Sequence, residues 1–167
     1  MTDIIPLIRI RRAQSSDVPA LANLYRQSVL ATAPQAYTPE QTTAWAAFAT
    51  DFAPFQRFIL GVTTYVAIAA NEAQDIVGFA GIGATGHVAS VYVHPDRARQ
   101  GIGSLLMQRL LTHAHTHRLP RLYAEASEFS LGLFQKFGFR LYDTEVVVRQ
   151  GVPFTRYLVE YWLETPA

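Results

Sequence analysis

The stretch SVYVHPDRARQGIGSLLMQRLL, from Ser90 to Leu111, admits few local structures. Its first residues are β-branched and aromatic, and the strand they predict must stop before Pro95, which cannot extend a ladder. Gly101 and Gly103 then form a Gly-x-Gly turn, and Leu105, Leu106, Leu110 and Ala114 follow at helical spacing as an expected core stripe. A strand, a polar connection, a glycine turn and an amphipathic helix therefore follow one another. Any fold for this chain must place the start of that helix beside the end of that strand.

The rest of the chain arranges itself around this unit. LIRIRRA (Leu7–Ala13) alternates like a strand. SSDVPALANLYRQSVLA opens with a Ser/Asp cap and repeats apolar residues at Val18, Leu21, Leu24, Tyr25 and Val29, and PEQTTAWAAFA predicts a shorter helix with Pro39 in its first turn. VTTYVAIAA, IVGFAGIGA and HVASVYV are three successive strands with short polar separators, as in antiparallel hairpins. After the glycine turn come a helix to about Arg118, the strand RLYAEAS, a short helix that stops at Gly138, and a terminal hairpin turning near Gln150–Gly151. The predicted order β-α-α-β-β-β-α-β-α-β-β implies one α/β domain over 1–167, a central mixed sheet with helices on both faces.

Composition narrows the function. The chain has 14 Lys and Arg against 13 Asp and Glu, a net charge of +1, so it lacks the clustered basic excess that tracks nucleic acid. It has no cysteine, which excludes disulfides, thiolate nucleophiles and thiolate metal sites. The N-terminal MTDIIPLIRIRR lacks the order of a signal peptide, and no apolar run approaches the roughly 18 residues that span a bilayer. A cytoplasmic protein with no membrane partner is expected. THAHTH does not read as a metal site: His113 and His117 share a helix face, His115 points elsewhere, and no carboxylate completes a ligand set.

Three readings of the turn compete. A phosphate loop of the G-x-x-x-x-G-K-[ST] kind is excluded, because no Gly-Lys-Ser/Thr occurs. A dinucleotide fingerprint fails at its third position, which is Leu106, and the turn does not follow its strand directly. An anion cradle fits. Residues 99–104, RQGIGS, would present unpaired N–H groups at a helix start, glycines would admit an anion to the backbone, and Arg97 and Arg99 would flank it. The competing reading, a tight strand-to-helix turn and nothing more, stays open on local grounds.

VYVHPDRARQGIGSLLMQRLL resembles the acetyl-CoA-binding motif of the GCN5-related N-acetyltransferases: a strand, Val-x-Pro, Gln/Arg-x-x-Gly-x-Gly/Ala, then a helix. LYAEASEFSLGLFQKFGF resembles the motif that follows it in that family, and VVVRQGVPFTRYLVEYWL is similar to the ending of the YafP-type subgroup. The resemblance implies acetyl-CoA as co-substrate and a small-molecule or peptide amine as acceptor. It implies that the backbone of Val91, Tyr92 and Val93 pairs with the pantetheine arm. Amides from Arg99 through Gln100, Gly101, Ile102 and Gly103 to Ser104 would hold the pyrophosphate, with Arg97 nearby and Ser127 and Phe134 lining the far side.

The family pattern breaks at two positions. Ala98 stands where a Gln or Arg is usual, and Phe134 stands where many members carry the Tyr that protonates the departing thiolate. Tyr123, Ser127 and Tyr142 are substitutes for that proton donor. His87 is the first candidate base and Glu125 the second, against readings as a surface residue and a strand-end ion pair. Tyr37 and Trp45 would shape the acceptor cleft or simply pack between helices. A catalytically weak acyl-CoA-binding module is the alternative function, and the edge of the terminal hairpin would suit a homodimer.

Overall fold

A computed structural model describes residues 7–163. The N-terminal residues 1–6 and C-terminal residues 164–167 of the expected domain, and with them the first half of the segment read for a signal peptide, lie outside the described residues. Strand β1 (Ile8–Arg12) leads to α1 (Val18–Thr32), α2 (Pro39–Ala47) and α3 (Phe52–Leu60). Strands β2 (Thr63–Ala69), β3 (Ile76–Ile82) and β4 (Val88–Val93) follow. The chain continues through α4 (Ile102–Thr116), β5 (Arg121–Ala126), α5 (Leu131–Lys136), β6 (Arg140–Arg149) and β7 (Val152–Trp162).

The expected order holds with one addition, α3. Its apolar face, Phe55, Phe58 and Ile59, has helical spacing, and Phe55 and Ile59 are fully buried. Pro54 in the first turn and the short link from α2 disguise it as loop. Local chemistry explains the other helix starts. Thr38 and Gln41 form a reciprocal capping box on α2, with Thr38 Oγ1 accepting from Gln41 N at 3.1 Å and Gln41 Oε1 accepting from Thr38 N at 3.0 Å. Asp17, just before α1, takes a two-pronged contact from Arg11 at 2.8 and 3.0 Å.

The strands pair as β1-β2-β3-β4 and β5-β7-β6, every ladder antiparallel. The parallel component of the expected mixed sheet shrinks to one bridge, His87 with Tyr123, where Tyr123 N donates to Gly86 O at 3.1 Å. Beyond that bridge β4 and β5 part. A register irregularity opposite Gly81 and Ile82 adds local twist to β4, and such twist turns a strand away from its neighbour.

Helices cover both faces. Leu21, Leu24, Phe55 and Ile59 pack with Val66 and Phe79 on one side, while Ile102, Leu106, Met107, Leu110 and Ala114 pack with Ala80, Val88 and Leu122 on the other. Successive residues of β2 and β3 face opposite cores, which is why these strands are apolar throughout. Leu105, expected in the core stripe, is 39% exposed, because the buried face of α4 is centred on Leu106 and Leu110. No described helix is long and apolar enough to cross a membrane.

Candidate active site

The gap between β4 and β5 is the floor of a cleft of about 870 Å³. Helices α1 and α2 wall one side, α5 another, and the β6–β7 hairpin folds over a third. Three features of the backbone create it. Gly86 (φ +96°) sits so close to β5 that a Cβ there would lie 1.9 Å from Arg121 O. The strand edge of β4 beyond His87 has no ladder partner. Tyr37 Oη accepts from Glu128 N at 3.0 Å and so joins the α1–α2 connection to the end of β5.

The Gly-x-Gly turn lies beside the cleft without lining it, next to the lining residues Ala98, Val93 and Leu133. Arg99 (φ +62°) and Gly101 (φ +80°) adopt left-handed backbone, and Gly101 caps α4. None of the N–H groups of residues 99–104 has an acceptor among the described residues; the first intrahelical bond is Leu105 N to Gly101 O. A Cβ on Gly103 would lie 3.3 Å from Leu133 and 3.8 Å from Val93, two residues that line the cleft. The turn is therefore a cluster of unpaired donors with a bare backbone toward the cleft. The Ile102 side chain is buried in the core, so only its amide belongs to the cluster. Ser104 Oγ accepts from Lys136 Nζ at 2.9 Å, which brings a cation that sequence reading passed over to the helix start.

The two candidate bases prove to be one unit. His87 Nε2 and Glu125 Oε2 are 2.6 Å apart, both half-buried and both lining the cleft. That hydrogen bond first, and the Arg156 charge to a lesser degree, hold the Glu125 carboxyl below its usual range against the opposing effect of burial. The His87 ring lies 5.2 Å from the Tyr123 ring at 32°, and the Tyr123 hydroxyl is 2.7 Å from Thr85 Oγ1. Tyr123 thus buttresses His87 from outside the cleft lining, and Tyr142 is exposed against Arg121. Ser127 lines the cleft, but its Oγ accepts from Phe129 N at 3.2 Å and Ser130 N at 3.1 Å, which shapes the entry to α5.

Val91, Tyr92, Val93 and Phe134 line the cleft as expected. Phe134 is buried against Phe139, with ring centroids 5.0 Å apart. Tyr92 contributes a side chain as well as backbone. It stacks on Phe79, packs on Tyr25, and receives the Trp45 indole N–H at 3.3 Å. Desolvation raises the phenol of Tyr92, and that of Tyr25, far above the usual tyrosine value. Tyr37 and Trp45 pack edge to face at 5.3 Å, and both also line the cleft. The hairpin adds Arg149 and Arg156, whose role no local motif announces.

The arrangement brings an unpaired strand edge and a His–Glu pair into one cleft, with a turn of acceptor-less amides beside it. The family model for the acetyltransferase (GNAT) domain matches residues 33–161. The chain is 29% identical over 155 residues to an uncharacterized N-acetyltransferase, YafP, of Escherichia coli K12, covering 92% of this chain and 95% of that protein. It is 30% identical over 174 residues to a phosphinothricin N-acetyltransferase of Streptomyces coelicolor, covering 95% and 96%. A PaiA N-acetyltransferase from Thermoplasma acidophilum, solved in complex with coenzyme A, shares the fold with a TM-score of 0.76 at 15% identity, covering 94% of this chain and 99% of that one. This chain therefore belongs to the GNAT family of acetyltransferases.

Proposed function

We propose that the protein transfers an acetyl group from acetyl-CoA directly to the amine of a small molecule. The observation that carries this reading is the run of acceptor-less N–H groups from Arg99 to Ser104, which follows Ala98 and abuts Val93 and Leu133 in the wall of the cleft that holds His87 and Glu125. Those amides would take the pyrophosphate of coenzyme A, aided by the helix dipole. The free edge of β4 would pair with the pantetheine arm as an added strand. That the PaiA N-acetyltransferase of the same fold was solved with coenzyme A supports coenzyme A as the group bound.

In the step itself, the amine nitrogen attacks the thioester carbonyl carbon, a main-chain N–H of β4 receives the developing oxyanion, and the carbon–sulfur bond breaks. The amine proton goes to the His87–Glu125 pair, directly or through water. The coenzyme leaves as a thiolate that takes a proton from solvent, since Phe134 has none to give. With no cysteine in the chain, no thioester to the enzyme forms. The enclosed volume suits a small acceptor better than a folded polypeptide, and the lack of cysteine agrees with a reducing cytoplasmic setting.

Calorimetric titration of wild type and Gly103→Val with acetyl-CoA tests the reading, with NAD and ATP as controls. Micromolar acetyl-CoA binding that the variant loses by tenfold or more, followed by amine-dependent thiol release, is the expected result. Absence of acetyl-CoA binding to wild type would overturn it. Tight binding without turnover across a broad amine panel would instead favour the non-catalytic acyl-CoA-binding module.

A further inference from the structure

Four side chains that carry charge at or near neutral pH line the cleft: His87, Glu125, Arg149 and Arg156. Three are already engaged. His87 and Glu125 hold each other, and Arg156 is ion-paired to Glu145, its cross-strand neighbour, with Nε to Oε1 at 3.0 Å. Arg149 makes no ion pair and no side-chain hydrogen bond among the described residues.

Its side chain is exposed, and what is fixed is its place on β6. Glu145, Val147 and Arg149 alternate onto the cleft face of β6, while Val146 and Val148 point outward and are each 67% exposed. The hairpin tip is tied to α2 by Gln41 Nε2, which donates to Pro153 O at 2.9 Å, and Phe154 packs on Tyr37 with centroids 6.1 Å apart. Arg149 is therefore held at the edge of the aromatic wall formed by Tyr25, Tyr37, Trp45 and Phe154.

An unpaired guanidinium in a cleft that must also admit an amine sets a charge requirement. A second cation on the acceptor would be repelled. A carboxylate or similar oxyanion would be taken by the planar donor fork of arginine, often through two hydrogen bonds at once. The aromatic wall asks for an apolar body between the two ends.

We infer that the acceptor is an amine on an apolar or aromatic body that also carries an anionic group, and that Arg149 is the receptor for that anion. This rests on the acetyltransferase reading and adds the acceptor class to it. The amine end lies toward His87 and Glu125, and the anionic end toward the tip of the hairpin.

The test compares amines that differ only in the anion. 4-(Aminomethyl)phenylacetate against 4-methylbenzylamine, and 6-aminohexanoate against pentylamine, are titrated calorimetrically in the presence of coenzyme A into wild type, Arg149→Gln and Arg149→Lys. The amino acids bind wild type about tenfold to a hundredfold more tightly than their decarboxylated partners, the order expected of a charge-assisted contact. Arg149→Gln closes that gap and Arg149→Lys restores part of it. Equal or tighter binding of the decarboxylated amines overturns the inference, as does a gap that survives Arg149→Gln or an absence of binding by either member of each pair. A separate acetyl-CoA titration reads the enzyme assignment on its own, so its failure is distinguishable from failure of the acceptor class.

Discussion

His87 Nε2 lies 2.6 Å from Glu125 Oε2 across two strands that share a single bridge. Under the proposed function the pair serves as one proton acceptor, not two independent bases. A carboxylate held low by its histidine partner stays ionised through the neutral range and keeps the ring oriented. Glu125→Gln and His87→Ala are each expected to lower kcat/KM about a hundredfold in a thiol-release assay. The double variant should be no worse than the weaker single one. Additive losses would mean that the two residues act separately.

Gly86 makes the pairing possible, since no side chain fits between it and β5. Gly86→Ala would place Cβ 1.9 Å from Arg121 O and strain a backbone at φ +96°. Such a clash costs roughly 2–4 kcal/mol. The melting temperature should then drop by roughly 5–15 °C for a chain of this length. A variant that keeps the wild-type melting temperature would show that β4 and β5 can separate freely at the bridge.

Much of this was legible in the residues themselves, and the division follows from range. The strand, the proline, the Gly-x-Gly turn and the helix after it are local, so Ser90 to Leu111 announce their own conformation and the acceptor-less amides with it. Helix α3 was not legible because Pro54 and a link of four residues after α2 imitate a loop, although Phe55, Phe58 and Ile59 carry the period. His87 and Glu125 were each visible as candidates, but their contact joins residues 38 apart and depends on a bridge that no spacing encodes. Arg149 and Arg156 reach the cleft only because the terminal hairpin folds back over α2, a long-range event written in Gln41 and Pro153 together.

The Arg11–Asp17 pair gives the fold a pH dependence whose direction is fixed. The Asp17 carboxyl lies below its usual value, chiefly through its hydrogen bonds from Arg11 and also from Gln14 N at 2.7 Å. A depressed folded value means that this stabilisation is complete above the unfolded carboxyl range near 4, and is lost as pH falls through the lower folded value. Asp17→Asn should cost roughly 1–2 kcal/mol in urea unfolding at pH 7. The difference from wild type should shrink steadily below about pH 4. A difference that does not vary with pH would assign the contribution to packing.

Phe134 decides whether a protein donor to the leaving thiolate matters here. It is buried against Phe139 and lines the cleft at the position where the family pattern often has Tyr. A thiol with a reference value near 8.5 is a competent leaving group in its anionic form, so water suffices to protonate it after departure. Phe134→Tyr should therefore change kcat less than about threefold, well under the factor of a hundred or more that a required general acid contributes. The same variant should leave a flat response of kcat to pH between 7 and 9 if thiolate departure is not limiting. A tenfold rise in kcat, with a new alkaline limb from the introduced phenol, would instead show that the leaving group is the bottleneck and that this chain runs below the rate its own cleft can support.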